Sequence, residues 1–286
     1  MPAPRAWPSS SLGLRVKRPA PALAPVSLAL LLGGGCEQLK GSHAPGGDAA
    51  LLQEVRTRLA AREGKVTGYA LTAEVREGPH VAKYEFWFRA PNKMRGDITE
   101  PGSFSYAFDG RFLYQQSDER RSLLVAELDP SRESTAVALL QTFSPFAPEG
   151  LRAPLLKSRD VTVQRVQHPK GPEAVKLEQR IRMDGLAYKL TYVLRWPSMD
   201  FLSKTLDSKG GSVELRVDEE SCDVLPGLCF PRKLSEWREG RKASTTDIPD
   251  LDFSEVLPAE AFVLEPPQGF FVEKSFLDGG TSTARR

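Results

Sequence analysis

The sequence predicts a mainly β domain: one large antiparallel sheet that twists and curls on itself, with helical segments covering its apolar side. Three observations carry this. Apolar and polar residues alternate with period two, most clearly in VAKYEFWFRA and LAYKLTYVLRW. Turn signals punctuate the alternation at hairpin spacing: Gly78-Pro79, Pro101-Gly102, Asp109-Gly110 and Gly210-Gly211. Only two stretches, 49–63 and 130–156, replace that rhythm with helical spacing or Pro-rich loop.

The elements follow in order. Asp48 is placed to cap a helix over AALLQEVRTRLAAREG, where Leu51, Val55 and Leu59 recur at four-residue spacing and Gly64 is the stop. VTGYALTAEVRE alternates loosely. In VAKYEFWFRA, Ala82, Tyr84, Phe86 and Phe88 share one face, with Trp87 on the other. KMRGDITE is the next strand, and SFSYAFD puts Phe104, Tyr106 and Phe108 on one face. Asp109-Gly110 turns the chain into RFLYQQ, and SLLVAEL closes the meander. PSRESTAVALLQTF reads as a helix with Ala136, Leu139, Leu140 and Phe143 on one side and Pro130 near its start. Strands resume as DVTVQRVQH, EAVKLEQRI, LAYKLTYVLRW, FLSKTLD, SVELRV and CFPRKLSEW, so that roughly ten strands are expected in all. DIPDLDFSE, with Asp247, Asp250 and Asp252, reads as an acidic connection; LPAEAF is one helical turn and FVLEPPQGFFVEK ends the fold.

Composition is that of a globular chain: 286 residues, 40% hydrophobic and 27% charged, which argues against wholesale disorder. A formal net charge of +2 argues against a nucleic-acid binder. The charge is uneven. Residues 1–35 carry four bases, ending at Lys17-Arg18, and no acid; without them 35 bases face 37 acids. The uncharged run PAPALAPVSLALLLGGGC follows, too short and too rich in Pro and Gly for a comfortable membrane span. A basic start, an apolar centre and small residues before a cut are the layout of a secretory signal.

That layout resembles the lipobox of bacterial lipoproteins, with Gly33-Gly34-Gly35 before Cys36. Gly33 departs from the Leu usual at its position, although Leu31 and Leu32 lie just upstream. The resemblance implies cleavage before Cys36 and acylation of Cys36 with a diacylglyceryl group and an N-acyl chain such as palmitate. Several acyl chains anchor stably where one holds marginally. Glu37, in place of an inner-membrane-retaining Asp, favours the outer membrane, with the chain facing the periplasm. The expected organisation is therefore a removed signal peptide (1–35), a lipidated tether (36–47), one β domain (48–275) and a flexible tail (276–286). In a disulfide-permissive compartment, Cys222 and Cys229 flank DVLPGL, whose Pro226-Gly227 is a turn signal, and a short bridge closing a hairpin is expected. Two free thiols are the alternative. A metal site lacks neighbouring His partners.

Further along, FWFRAPNKMRGDI, FSYAFDGRFLYQQ and LPAEAFVLEPPQGF resemble the lipoprotein-sorting superfamily that includes the carrier LolA, the receptor LolB, the regulator RseB and mycobacterial lipid-binding lipoproteins. The shared pattern is an aromatic strand, a Pro-containing turn, a Lys/Met-Arg strand, then an aromatic strand into an Asp-Gly turn. The order of elements agrees over most of 48–273, while the stretch 218–250 with its Cys pair does not match the carriers' pattern. The resemblance implies an unclosed β-barrel with an N-terminal helix and an inserted helical segment on its concave face. It also implies an apolar trough for acyl chains. The expected lining is Tyr84, Phe86, Phe88, Phe104, Tyr106, Phe108, Phe112, Tyr114, Leu186, Tyr188, Leu190 and Tyr192. The alternative is that these residues are simply core.

No catalytic constellation is visible. His43, His80 and His168 stand in loop contexts, GSFSYAF lacks the glycine pattern of a nucleophile elbow, and no phosphate loop appears. Asp218-Glu219-Glu220 reads as a solvated strand end, and no calcium-loop spacing is present. The expectation is a protein that is not an enzyme, uses no cofactor or metal, and binds by partition of apolar surface, at roughly 25 cal/mol per Å². Its partners would be acyl chains of a lipid or lipoprotein, the membrane through the N-terminal lipid, and an envelope protein. The alternatives are a sensor of the same fold and a structural envelope lipoprotein without ligand.

Overall fold

In a computed structural model, the described residues are 49–276, apart from 101, 131, 147–151, 153–155, 157–159, 168–172, 184–185 and 255–256. The expected signal peptide, Cys36, the tether and most of the tail lie outside them. The element order is α1 (Ala49–Glu63), then strands β1 (Gly68–Glu77), β2 (His80–Arg89), β3 (Lys93–Glu100), β4 (Phe104–Phe108), β5 (Phe112–Ser117) and β6 (Ser122–Glu127). Helix α2 (Glu133–Thr142) precedes β7 (Val161–Gln167), β8 (Glu173–Met183), β9 (Leu186–Arg195), β10 (Phe201–Ser208), β11 (Gly211–Leu225), β12 (Leu228–Arg238) and β13 (Arg241–Asp252). A 3-10 turn, Ala259–Phe262, leads to β14 (Phe271–Phe276).

All fourteen strands form one curved sheet, left open between β14 at one edge and β7 at the other. Two meanders compose it. β1 to β6 run outward in one direction and β7 to β13 return from the far edge, and the two join where β1 pairs with β13. Every pairing is antiparallel except that of β14 with β6. β13 corrects the reading of DIPDLDFSE as a connection. Its inner face is Ser244, Thr246 and Ile248, all buried, so hydroxyls stand where an apolar alternation would have been legible.

This order makes two crossings obligatory. β6 and β7 are separated by eleven strands in the sheet, a path of about 55–60 Å at about 4.8 Å per strand. The connection after β6 therefore crosses the inner face, and α2 rides on it. Ala136, Val137, Leu139, Leu140 and Phe143 of that segment are buried in the main core. The connection from β13 to β14 runs over the outer face instead. Arg89 donates to the Leu257 carbonyl (3.1 Å) and Arg95 to that of Ala261 (2.9 Å), while Leu264 packs with Ala107, Tyr114 and Leu123. Trp87 is on this face too, under the Arg95 guanidinium.

α1 completes the inner cover. Leu51, Val55, Leu59 and Arg62 recur at the spacing of one helical face, and all four are buried. Gly64 closes the helix with its N–H on the Ala60 carbonyl (2.9 Å). Arg56 Nε donates to the Leu156 carbonyl (2.9 Å), tying α1 to the inner crossing. No described helix is long and apolar enough to cross a membrane.

Candidate functional site

The inner wall is built by register. Phe86 pairs with Gly96, which pairs with Tyr106; Phe88 pairs with Met94, which pairs with Phe108; Tyr84 pairs with Ile98, which pairs with Phe104. Residues directly opposite one another share a face, so these three rows lay one aromatic surface across β2, β3 and β4. Phe86, Phe88, Met94 and Phe108 are almost wholly buried, Tyr84 and Tyr106 nearly so, and Phe104 is half-buried at the margin.

Phe112 and Tyr114 are not part of this wall. The hairpin sets Phe108 opposite Leu113 and Tyr106 opposite Gln115, so even residues of β4 share a face with odd residues of β5. The inner residues of β5 are Leu113, Gln115 and Ser117. Phe112 and Tyr114 pack on the outer face with Ala107, Leu123 and Leu264. The turn fixes this parity. Asp109 Oδ1 accepts the N–H groups of Arg111 (2.8 Å) and Phe112 (2.7 Å), and Gly110 takes φ +102°, which a side chain resists. The Tyr114 hydroxyl donates to Asp109 Oδ2 (3.1 Å), and burial together with that carboxylate pushes its pKa up to about 12.

In the second meander, Leu190, Tyr192 and Leu194 are buried on the inner face and Tyr188 is half-buried. Leu186 pairs with Met183 at the end of β9, and its side chain lies outside the described residues. Tyr69, Phe201 and Phe230 join the lining, and Phe253 packs beside them. The strands holding the first three were legible, but which of their faces turned inward needed the β1–β13 and β9–β10 registers.

The wall is covered by rings from the inner crossing. Phe146 stacks on Phe86 with centroids 5.0 Å apart and stands edge-on to Tyr84 at 5.6 Å. Phe143 meets Phe86 at 6.0 Å and Tyr106 at 6.1 Å. Gly96, without a side chain, leaves the floor on which Phe143 rests; a Cβ there would stand 3.8 Å from that ring. Small voids adjoin the covered wall. One of about 20 Å³ is lined by Arg152, Leu156, Val161, Leu177, Gln179, Leu190 and Tyr192. One of about 40 Å³ lies beside Arg62, Tyr69, Phe146, Phe201 and Phe230. A water needs roughly 10–15 Å³, so each holds water-sized guests and no acyl chain while the crossing is in place.

Polar groups are few at this surface and poorly satisfied. The hydroxyls of Tyr84 and Tyr192 are buried without hydrogen-bond partners, and burial raises the pKa of both. Burial pushes Tyr106 up to about 12. Lys204 on β10, opposite Tyr192, reaches the Leu140 carbonyl of α2 at 3.4 Å, and desolvation lowers its pKa to about 8 with Glu236 partly opposing the shift. A third feature lies where α1 ends. Arg62 and Asp200 form an ion pair, both side chains only 2% exposed. Asp200 Oδ1 also accepts the Cys229 N–H (3.0 Å), Arg62 donates to the Cys229 carbonyl (3.2 Å), and the guanidinium lies 5.1 Å over Phe230.

Cys222 and Cys229 are joined by a disulfide across the β11–β12 hairpin. Glu220, Cys222 and Cys229 are close enough to hold a metal ion, but the disulfide removes both thiolates as ligands. The acids of 218–220 each have a cation: Lys242 for Asp218, Lys233 for Glu219 and Arg195 for Glu220. Asp250 accepts from Thr72 (3.0 Å) and Asp252 from the Ser254 N–H (2.7 Å). These are strand and turn contacts. His80 is exposed at the start of β2, and His43 and His168 lie outside the described residues. Chemically, the inner face can exclude water and accept hydrocarbon; its described residues bring no base, nucleophile and orienting group together.

No family model and no curated protein matches the sequence. Solved structures do. A DUF1329 family protein from Desulfovibrio piger is similar with TM-score 0.53 and 10% identity, over 76% of this chain and 98% of that one. A LolA superfamily protein from Nitrosomonas europaea gives 0.48 and 14%, over 73% and 97%. The Mycobacterium tuberculosis lipoprotein LppX gives 0.32 and 13%, over 74% and 100%. With its curved sheet open between two edges and its inner face under two helices, this chain shares the fold of the DUF1329 family protein.

Proposed function

We propose that the protein is an envelope lipoprotein, anchored through Cys36, that holds the acyl chains of a lipid or lipoprotein against the inner wall of its sheet. One observation carries the reading. The aromatic surface of β2 to β4 is capped by rings of a single inserted segment, Phe143 and Phe146, where a hydrocarbon chain would lie. Displacing that segment uncovers a continuous apolar trough bounded by Tyr84, Phe86, Phe88, Tyr106 and Phe108. The guest replaces ring contacts with methylene contacts, each buried methylene contributing about 0.8 kcal/mol. Binding of this kind requires no reactive group, in keeping with a carrier or receptor instead of an enzyme. Outer-membrane anchoring facing the periplasm, the tether at 36–47 and a further envelope protein partner belong to the same proposal.

The filled interior also supports a second reading, a structural envelope lipoprotein without ligand. Native mass spectrometry of the chain purified from its own membranes separates the two. A retained adduct with the mass of a fatty acyl lipid supports carriage. A bare chain that also fails to take up a fluorescent fatty acid favours the structural role.

A further inference from the structure

We propose that Cys222–Cys229 is a thiol-exchange site, attacked at Cys222 and leaving through Cys229, which controls how firmly α1 is clamped to the sheet. The substrate is a thiol or dithiol reductant, and the inference does not depend on what fills the trough. The two sulfurs differ in surroundings. Cys222 is exposed and Cys229 is half-buried. Arg195 Nη1 stands 3.4 Å from Cys229 Sγ, and its other terminal nitrogen is paired with Glu220. An attacking thiolate reaches Cys222 with less hindrance, and a guanidinium stabilises the thiolate that departs from Cys229.

The step balances. The reductant thiolate bonds to Cys222 Sγ, the S–S bond breaks, and its electron pair leaves on Cys229 Sγ beside Arg195. A second reductant thiol, as its thiolate, then attacks the mixed disulfide. Its release yields an oxidised reductant disulfide and two reduced cysteines, with the Cys222 thiolate taking up a proton. The consequence is structural. Cys229 presents its N–H to Asp200 and its carbonyl to Arg62, the last buried residue of α1, and the next residue, Phe230, lines the larger void. Opening the hairpin frees the backbone that both partners of the buried ion pair hold. The helix next to the expected tether is thereby loosened.

The test uses the full chain carrying Cys36→Ser, so that the pair supplies the only sulfurs able to exchange. Native protein is treated with glutathione, quenched with iodoacetamide and mapped by mass spectrometry. Glutathione on Cys222 with Cys229 alkylated is expected; glutathione on Cys229, or on both equally, overturns the direction of attack. Arg195→Gln is expected to slow reduction about three- to tenfold, because the thiolate departing from Cys229 loses its guanidinium partner. Glu220→Gln, which leaves the guanidinium unneutralised, is expected to speed it. An unchanged or slower rate in Glu220→Gln overturns the role of Arg195 even where Arg195→Gln fails to fold. Amide hydrogen exchange over 49–63 is expected to rise on reduction, and equal protection in both states overturns the clamp.

Discussion

Phe146→Ala tests the trough most directly. The ring is 5% exposed, stacked on Phe86 and edge-on to Tyr84. Truncating a buried Phe costs about 3–5 kcal/mol, and the adjoining void of about 40 Å³ gives neighbours somewhere to relax. We therefore expect the low end, about 3 kcal/mol, read as a lower urea midpoint at constant slope. The same substitution weakens the grip of the inner crossing on the wall. If an acyl guest must displace that segment, its binding no longer has to overcome those ring contacts. At 1.4 kcal/mol per tenfold, a gain of at least tenfold in affinity for a fluorescent fatty acid is expected, with an upper bound near one hundredfold. The measurement is a fluorescence titration under conditions where both forms are folded. Loss of stability with unchanged affinity would show that the guest, if any, does not enter between Phe146 and the wall, and would refute the displacement argument.

Three further outcomes follow from the same geometry. Lys204→Met is expected to stabilise the protein by about 1–2 kcal/mol at pH 7, because a lysine with a lowered folded pKa carries a desolvation cost below pH 8 that is relieved as pH rises towards 10.5; urea titrations should show the wild type gaining on the variant from pH 8 to 10, before the raised tyrosine values begin to destabilise both. Asp200→Ala is expected to cost about 3–5 kcal/mol by removing the buried carboxylate that pairs with Arg62, whereas Arg62→Met with Asp200→Leu costs much less than the sum of the single changes, as a double-mutant cycle in urea will show. Tyr114→Phe, on the outer face, should leave fatty-acid affinity unchanged in the titration used for Phe146→Ala, while Tyr106→Ala alters it.

The elements were more legible than their arrangement. Period-two runs such as Tyr84–Phe88 and Phe104–Phe108 carry their inner faces openly, because large rings recur there at every second position, with Glu85, small residues and one outer ring, Trp87, between them. β13 was hidden because Ser244 and Thr246 occupy inner positions and Pro249 with three acids suggested a loop. Aromatic character points Phe112 and Tyr114 to the wall, yet hairpin parity decides the face, and Leu113 holds the inner position. The pairing of β1 with β13 and of β14 with β6 joins residues far apart in sequence, which no local pattern specifies. For the same reason Arg62, Asp200 and Lys204 were missed: each looks like an ordinary surface charge until distant strands enclose it.

Under the proposed acyl-chain reading, the route of the chain from β6 to β7 would make the segment across the inner face an internal competitor, covalently present at every moment. A guest of fixed intrinsic affinity is then bound in proportion to the fraction of molecules whose segment has withdrawn. Selectivity and release would then be set as much by the hold of residues 133–146 as by the wall they cover. Evolution can retune occupancy by changing the competitor alone, leaving the receiving surface intact.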